Sequence, residues 1–90
     1  MISRQVHVAN RDGIHLRPAG QLCEKALTFK SSIYIKVEDR KYNAKSVLSV
    51  LSAQISMPET IELICDGPDE EEAMETMEKL LGGQLKGSNS

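Results

Sequence analysis

The chain has 90 residues, 11 basic and 13 acidic, for a formal net charge of −2. With no Trp, one Phe, two Tyr and no basic stripe, it lacks the charged footprint and the stacking platforms of a nucleic-acid binder. No apolar run approaches the roughly 18 residues of a membrane span, and Met1-Ile2-Ser3-Arg4-Gln5 contains no signal-peptide stretch. Cys23 and Cys65 stand far apart in apolar patterns, which fits neither a disulfide framework nor zinc-ligand spacing. The expectation is a reduced, cytoplasmic domain with two buried inert thiols. It should span residues 1–82, followed by a frayed Gly- and Ser-rich tail over 83–90.

In chain order, Ile2, Val6 and Val8 fall on alternate positions and predict a first strand, with His7 on its opposite face. Asn10 to Gly13 reads as a loop. Leu16, Ala19, Leu22, Cys23 and Ala26 then recur at helical spacing and predict a helix from about Leu16 to Leu27, with Pro18 in its first turn. Ile33, Ile35 and Val37 predict a second strand. Glu38-Asp39-Arg40 turns the chain without a glycine, and Lys41 to Ala44 returns as a short third strand. Ser46 is a favoured N-cap for a short helix beginning near Val47, which Met57-Pro58-Glu59 ends. Ile61, Leu63 and Cys65 mark a fourth strand. Asp69 followed by Glu72 resembles a capping box before the apolar stripe Ala73, Met74, Met77, Leu80 and Leu81. The order βαββαβα predicts an α+β fold, a largely antiparallel sheet with helices on one face. Periodicity also allows a plain split βαβ arrangement and does not fix the strand order.

Gly13-Ile14-His15-Leu16-Arg17-Pro18-Ala19 is the segment with chemical content. His15 falls where a loop meets a helix N-terminus, a place with unpaired N–H groups and a positive dipole end. Arg17 adds a planar fork suited to phosphate. A positive environment favours the neutral imidazole, the form that can attack phosphorus, and also stabilises an arriving phosphoryl group. A lone histidine at a helix start is more often an ordinary capping or surface residue, so the pattern by itself leaves both readings open.

The same segment resembles the phosphohistidine motif of the HPr family, the phosphocarriers of the bacterial phosphoenolpyruvate–sugar phosphotransferase system. Asn43-Ala44-Lys45-Ser46-Val47-Leu48-Ser49-Val50-Leu51 resembles the family's second signature, around a regulatory serine. The likeness runs from about Ser3 to Leu81. It implies an open-faced β-sandwich of four antiparallel strands and three helices. It further implies that His15 accepts a phosphoryl group from phosphorylated Enzyme I, at the ring nitrogen nearest the Cβ attachment, and that Arg17 steadies it. Sugar-specific A domains would then receive the group. Such a carrier needs partner enzymes at both ends and is not a stand-alone enzyme. No metal and no cofactor are implied, and a monomer is expected.

Ser46 has an added reading beside its capping role: phosphorylation by a dedicated serine kinase/phosphorylase, as in many Gram-positive relatives. Val47, Leu48 and Leu51 are too many apolar residues for a short helix to hide. With Leu16 and Gly20 they are expected to frame a docking face around His15. Gly20, Gln54 and the glycine-free stretch Ser56-Met57-Pro58-Glu59 depart from the common family pattern. Two other readings keep the same residues. One is a nitrogen- or regulation-linked phosphorelay paralogue, against which Pro18 speaks slightly. The other is a regulatory module that binds a transcription factor through phosphorylated Ser46; some relatives of that kind have lost the histidine that this chain keeps.

Overall fold

The structure is a computed structural model that describes residues 1–8, 19–56 and 60–82, for residues 55 and 56 the backbone only. Its elements are β1 (Ile2–His7), α1 (Ala19–Leu27), β2 (Ser32–Val37), β3 (Arg40–Asn43), α2 (Val47–Ser56), β4 (Thr60–Asp66) and α3 (Glu70–Leu81). The strands form one antiparallel sheet in the order β1-β4-β2-β3. Since β4 lies between β1 and β2 and runs against both, β1 and β2 are parallel and α1 is a crossover that skips a strand. The same logic makes α2 a crossover from β3 to β4. The topology is therefore the split βαβ that periodicity left open, used twice in overlap.

Alternation decides which face of the sheet is covered. Val6, Ile33, Ile35, Val37, Ile61, Leu63 and Cys65 are buried and join one apolar cluster with the helix residues Leu22, Ala26, Val50, Ala53, Met74, Met77 and Leu81. Each large side chain in that cluster contributes roughly 1.5–3 kcal/mol on leaving water. Residues of the opposite parity are exposed, as Gln5, His7, Ser32 and Thr60 are, or half-buried, as Tyr34, Lys36, Glu62 and Ile64 are. All three helices thus pack on one face and leave the other open, as the α+β reading expects. Cys23 and Cys65 are free and buried. Burial pushes the Cys65 thiol up to about 11, so it stays protonated.

Two local expectations change. The third strand is Arg40–Asn43, one residue earlier than predicted, because Val37 and Arg40 pair directly across a two-residue turn. Glu38 takes the left-handed conformation there, at φ 57°, without help from glycine. Ala44 follows the strand, fully buried, with its N–H still donating to Ile33 O at 2.9 Å. The first helix is described from Ala19 only; Leu16, Arg17 and Pro18 lie outside the described residues, as do Met57-Pro58-Glu59 and the tail over 83–90.

The second change concerns Asp69. It occupies the N-cap of α3 but makes no side-chain cap hydrogen bond, so the predicted capping box with Glu72 does not form. Its carboxylate instead accepts from Lys30 N–H and Ser31 N–H at 2.9 Å each, and from Ser31 Oγ at 2.5 Å. Three donors compete with the positive end of a single helix, and they belong to a loop that must bury Ser31 completely. Glu70 turns back to accept from Gly67 N–H at 2.9 Å.

These hydrogen bonds, the Ser31 hydroxyl first, lower Asp69 from its ordinary 3.8 to about 2. A depressed carboxyl favours the fold above the unfolded pKa, and the benefit disappears as pH falls through the folded one. Thermal stability should therefore drop between about pH 4 and pH 2 in the wild type, and less steeply in Asp69→Asn. Melting curves at closely spaced pH values test this; parallel profiles for the two proteins would contradict it.

Candidate functional site

The N-terminal end of α1 and the whole of α2 carry the described part of the site. Ala19 is buried, and Gly20 beside it is exposed with open space where a Cβ would stand. Glycine at such a helical position is conformationally costly. Gly20→Ala is accordingly expected to raise stability by about 0.5–1 kcal/mol, read as an increased denaturant midpoint. A decreased midpoint would show that the position needs glycine for the fold.

The chain enters α2 through a set of local hydrogen bonds. Asn43 Oδ1 accepts from Lys45 N–H at 2.9 Å, and Asn43 O accepts from Ser46 N–H at 3.0 Å. Ser46 then caps the helix: its Oγ accepts from Ser49 N–H at 3.3 Å and its carbonyl from Val50 N–H at 3.0 Å. The capping expectation for Ser46 therefore holds, with a long bond. The hydroxyl is half-buried and stands at a helix N-terminus, where an added phosphate would meet backbone N–H groups and a favourable dipole.

Among the described side chains of α2, only Val50 and Ala53 turn into the core. Val47, Leu48 and Leu51 are exposed to 42%, 73% and 47%, and Leu27 at the end of α1 to 59%. These four account for nearly all large apolar exposure outside Met1 among the described residues. A groove between the two helices is lined by Gly20, Gln21, Cys23, Glu24, Leu27 and Val47. The predicted docking residues Gly20 and Val47 thus line one groove, and Leu48 and Leu51 continue from Val47 along α2. Leu16, His15 and Arg17 lie outside the described residues; in sequence they directly precede α1. Leu27 was missed by the reading of α1 as a core stripe, although an apolar residue just off that stripe was a visible signal.

Comparison with known proteins decides the family. Residues 2–82 match the PTS-HPr family model, described as the PTS HPr component phosphorylation site. The chain belongs to the HPr family. It is 35% identical over 86 residues to the phosphocarrier protein HPr of Treponema pallidum, covering 96% of this chain and 98% of that one. It is 40% identical over 77 residues to the HPr-like protein Crh of Halalkalibacterium halodurans, covering 86% and 92%. Among solved structures, HPr of Thermoanaerobacter tengcongensis superposes with a TM-score of 0.79 at 30% identity, covering 96% of this chain and 97% of that one. The open-faced sandwich described above is therefore an HPr fold, and the chain is an HPr-like phosphocarrier family member of the phosphotransferase system.

Among the described residues no cluster of three or more His, Cys, Asp or Glu could hold a metal ion. No helix among them is long and apolar enough to cross a membrane.

Proposed function

We propose that this HPr-family chain accepts a phosphoryl group on His15 from phosphorylated Enzyme I and passes it to sugar-specific A domains, acting in the cytoplasm without metal or cofactor. The observation that carries the reading is the family match, which spans the segment Gly13 to Ala19 from end to end. The chemistry is simple. A lone pair on a neutral imidazole nitrogen attacks phosphorus while the bond from phosphorus to the donor breaks, and the reverse step delivers the group to the next acceptor. Arg17, two residues away in sequence, supplies a permanent charge for the phosphoryl oxygens. The helix that follows adds the favourable end of its dipole. Leu16, Gly20, Val47, Leu48 and Leu51 form the docking face, a role that the exposure of the last three supports.

The experiment is a relay. Protein phosphorylated by Enzyme I and phosphoenolpyruvate is separated from both and mixed with purified A domains. Loss of its phosphoryl group with matching gain by an A domain supports the carrier role. A stable phosphoprotein that discharges to none of them contradicts it. On this reading the carrier works as a monomer, so its hydrodynamic radius should not vary with concentration.

The Crh likeness favours a second reading: a regulatory module that binds a transcription factor through phosphorylated Ser46. A solved relative is described as the catabolite repression HPr of Bacillus subtilis, and another Crh structure as a domain-swapped dimer. The place of Ser46 at the start of α2 suits a phosphate. Incubation with a serine kinase and ATP tests it; no incorporation into the wild type would sink this reading and leave the carrier role intact.

A further inference from the structure

Lys45 stands at the meeting point of the helices that border the proposed docking face. Its half-buried side chain reaches across to the far end of α1, where the ammonium donates to Phe29 O at 2.8 Å. Phe29 lies just past that helix, its own N–H bonded to Ala26 O at 3.2 Å. A cation there meets the negative end of the α1 dipole. In the other direction, Lys45 O accepts the Cys23 thiol at 3.2 Å. Lys45 N–H is held by Asn43 Oδ1, and the next residue is the cap of α2. One residue therefore ties the middle and the end of α1 to the first turn of α2. Cys23 and Val47, one from each helix, both line the groove.

The loop that receives the ammonium is held on its other side as well. Asp69, at the start of α3, takes Lys30 N–H, Ser31 N–H and the Ser31 hydroxyl. Without the Lys45 ammonium the loop keeps its anchor to α3 and the core keeps its apolar contacts. What is lost is the side-chain half of the link between α1 and the start of α2; the Cys23 thiol keeps only the main-chain carbonyl of residue 45 as its partner.

We infer that Lys45 is a positioning residue of the docking face: its clamp on Phe29 O and Cys23 Sγ holds α2 at the separation from α1 that partners recognise. The inference rests on the phosphocarrier reading for its consequence, and on hydrogen-bond geometry for its cause. The ammonium is engaged by a backbone carbonyl past the far end of α1, so binding is expected to respond and chemistry is not.

The test compares Lys45→Met, which keeps the apolar stem, with Lys45→Arg, which restores a donor. In transfer from phosphorylated Enzyme I, Lys45→Met should raise KM roughly tenfold while kcat stays within about twofold, and Lys45→Arg should recover most of the KM. Cys23 alkylation in the native protein should quicken roughly fivefold in Lys45→Met and not in Lys45→Arg, with buried Cys65 as the unreactive internal reference. A folded Lys45→Met protein with unchanged KM and unchanged alkylation overturns the assignment. So does a lowered melting temperature with both unchanged, which is a purely structural role. If the wild type accepts no phosphoryl group at all, the phosphocarrier reading fails, and the alkylation rates alone decide whether Lys45 clamps the helices.

Discussion

Replacing Gly67 by alanine should lower the unfolding free energy by about 3 kcal/mol, a combination of backbone strain and overpacking. Gly67 has φ +156°, which side chains rarely adopt. A Cβ there would fall 2.5 Å from Ser31 Cα, 2.7 Å from Ser31 Oγ and 2.9 Å from Ser31 Cβ. The first of these is backbone, and Ser31 is fully buried and fixed by Asp69, so the neighbour cannot swing away. Moving Gly67 instead would pull its N–H from Glu70 Oε1. In a domain of this size the loss corresponds to a melting temperature lower by roughly 12–24 °C. Thermal unfolding of Gly67→Ala beside Gly20→Ala makes a sharp comparison. The same substitution should destabilise at one glycine and stabilise at the other. Equal shifts at both sites would show that the close approach to Ser31 is not a constraint.

Leu48→Asp should raise the KM for transfer from Enzyme I by roughly ten- to thirtyfold, the equivalent of about 1.4–2 kcal/mol of lost apolar burial at an interface. Leu48 is 73% exposed in the free protein, so the fold gains little from it. It stands in the first turn of α2, where a carboxylate favours the helix by about 0.3–1 kcal/mol. The variant should therefore melt at the wild-type temperature or slightly above it. That separation matters: impaired transfer in a protein of full stability assigns the effect to docking. Wild-type KM in a folded Leu48→Asp protein would remove Leu48 from the docking face.

The sheet and helices were legible because each depends on a local period. Ile33, Ile35 and Val37 alternate, as do Ile61, Leu63 and Cys65, and the α3 stripe Ala73, Met74, Met77, Leu80 and Leu81 is buried throughout. The strand order was not legible, because β4 enters between β1 and β2 through pairings more than fifty residues distant for β1, and no period carries such information. Asp69 shows the same limit at the scale of one side chain. An acid three residues before a glutamate at a helix start looks alike whether it caps that helix or is taken by a loop 38 residues earlier. Lys45 escaped notice because its partners are a backbone carbonyl and a thiol, and a carbonyl leaves no mark in a sequence. The proposed docking residues were visible for the opposite reason. A ten-residue helix bearing Val47, Leu48, Val50 and Leu51 has more apolar side chains than one buried face can hold, and three of those four stay outside. His15 and Arg17 were singled out by motif, and their placement lies outside the described residues.

The central claim is that His15 carries the phosphoryl group. Its most direct test is intact-mass measurement after incubation with Enzyme I and phosphoenolpyruvate, wild type beside His15→Ala, before and after brief acid treatment. The account predicts one acid-labile phosphoryl group on the wild type and none on the variant. An acid-stable adduct, equal labelling of both proteins, or no labelling of the wild type by a competent Enzyme I would contradict it.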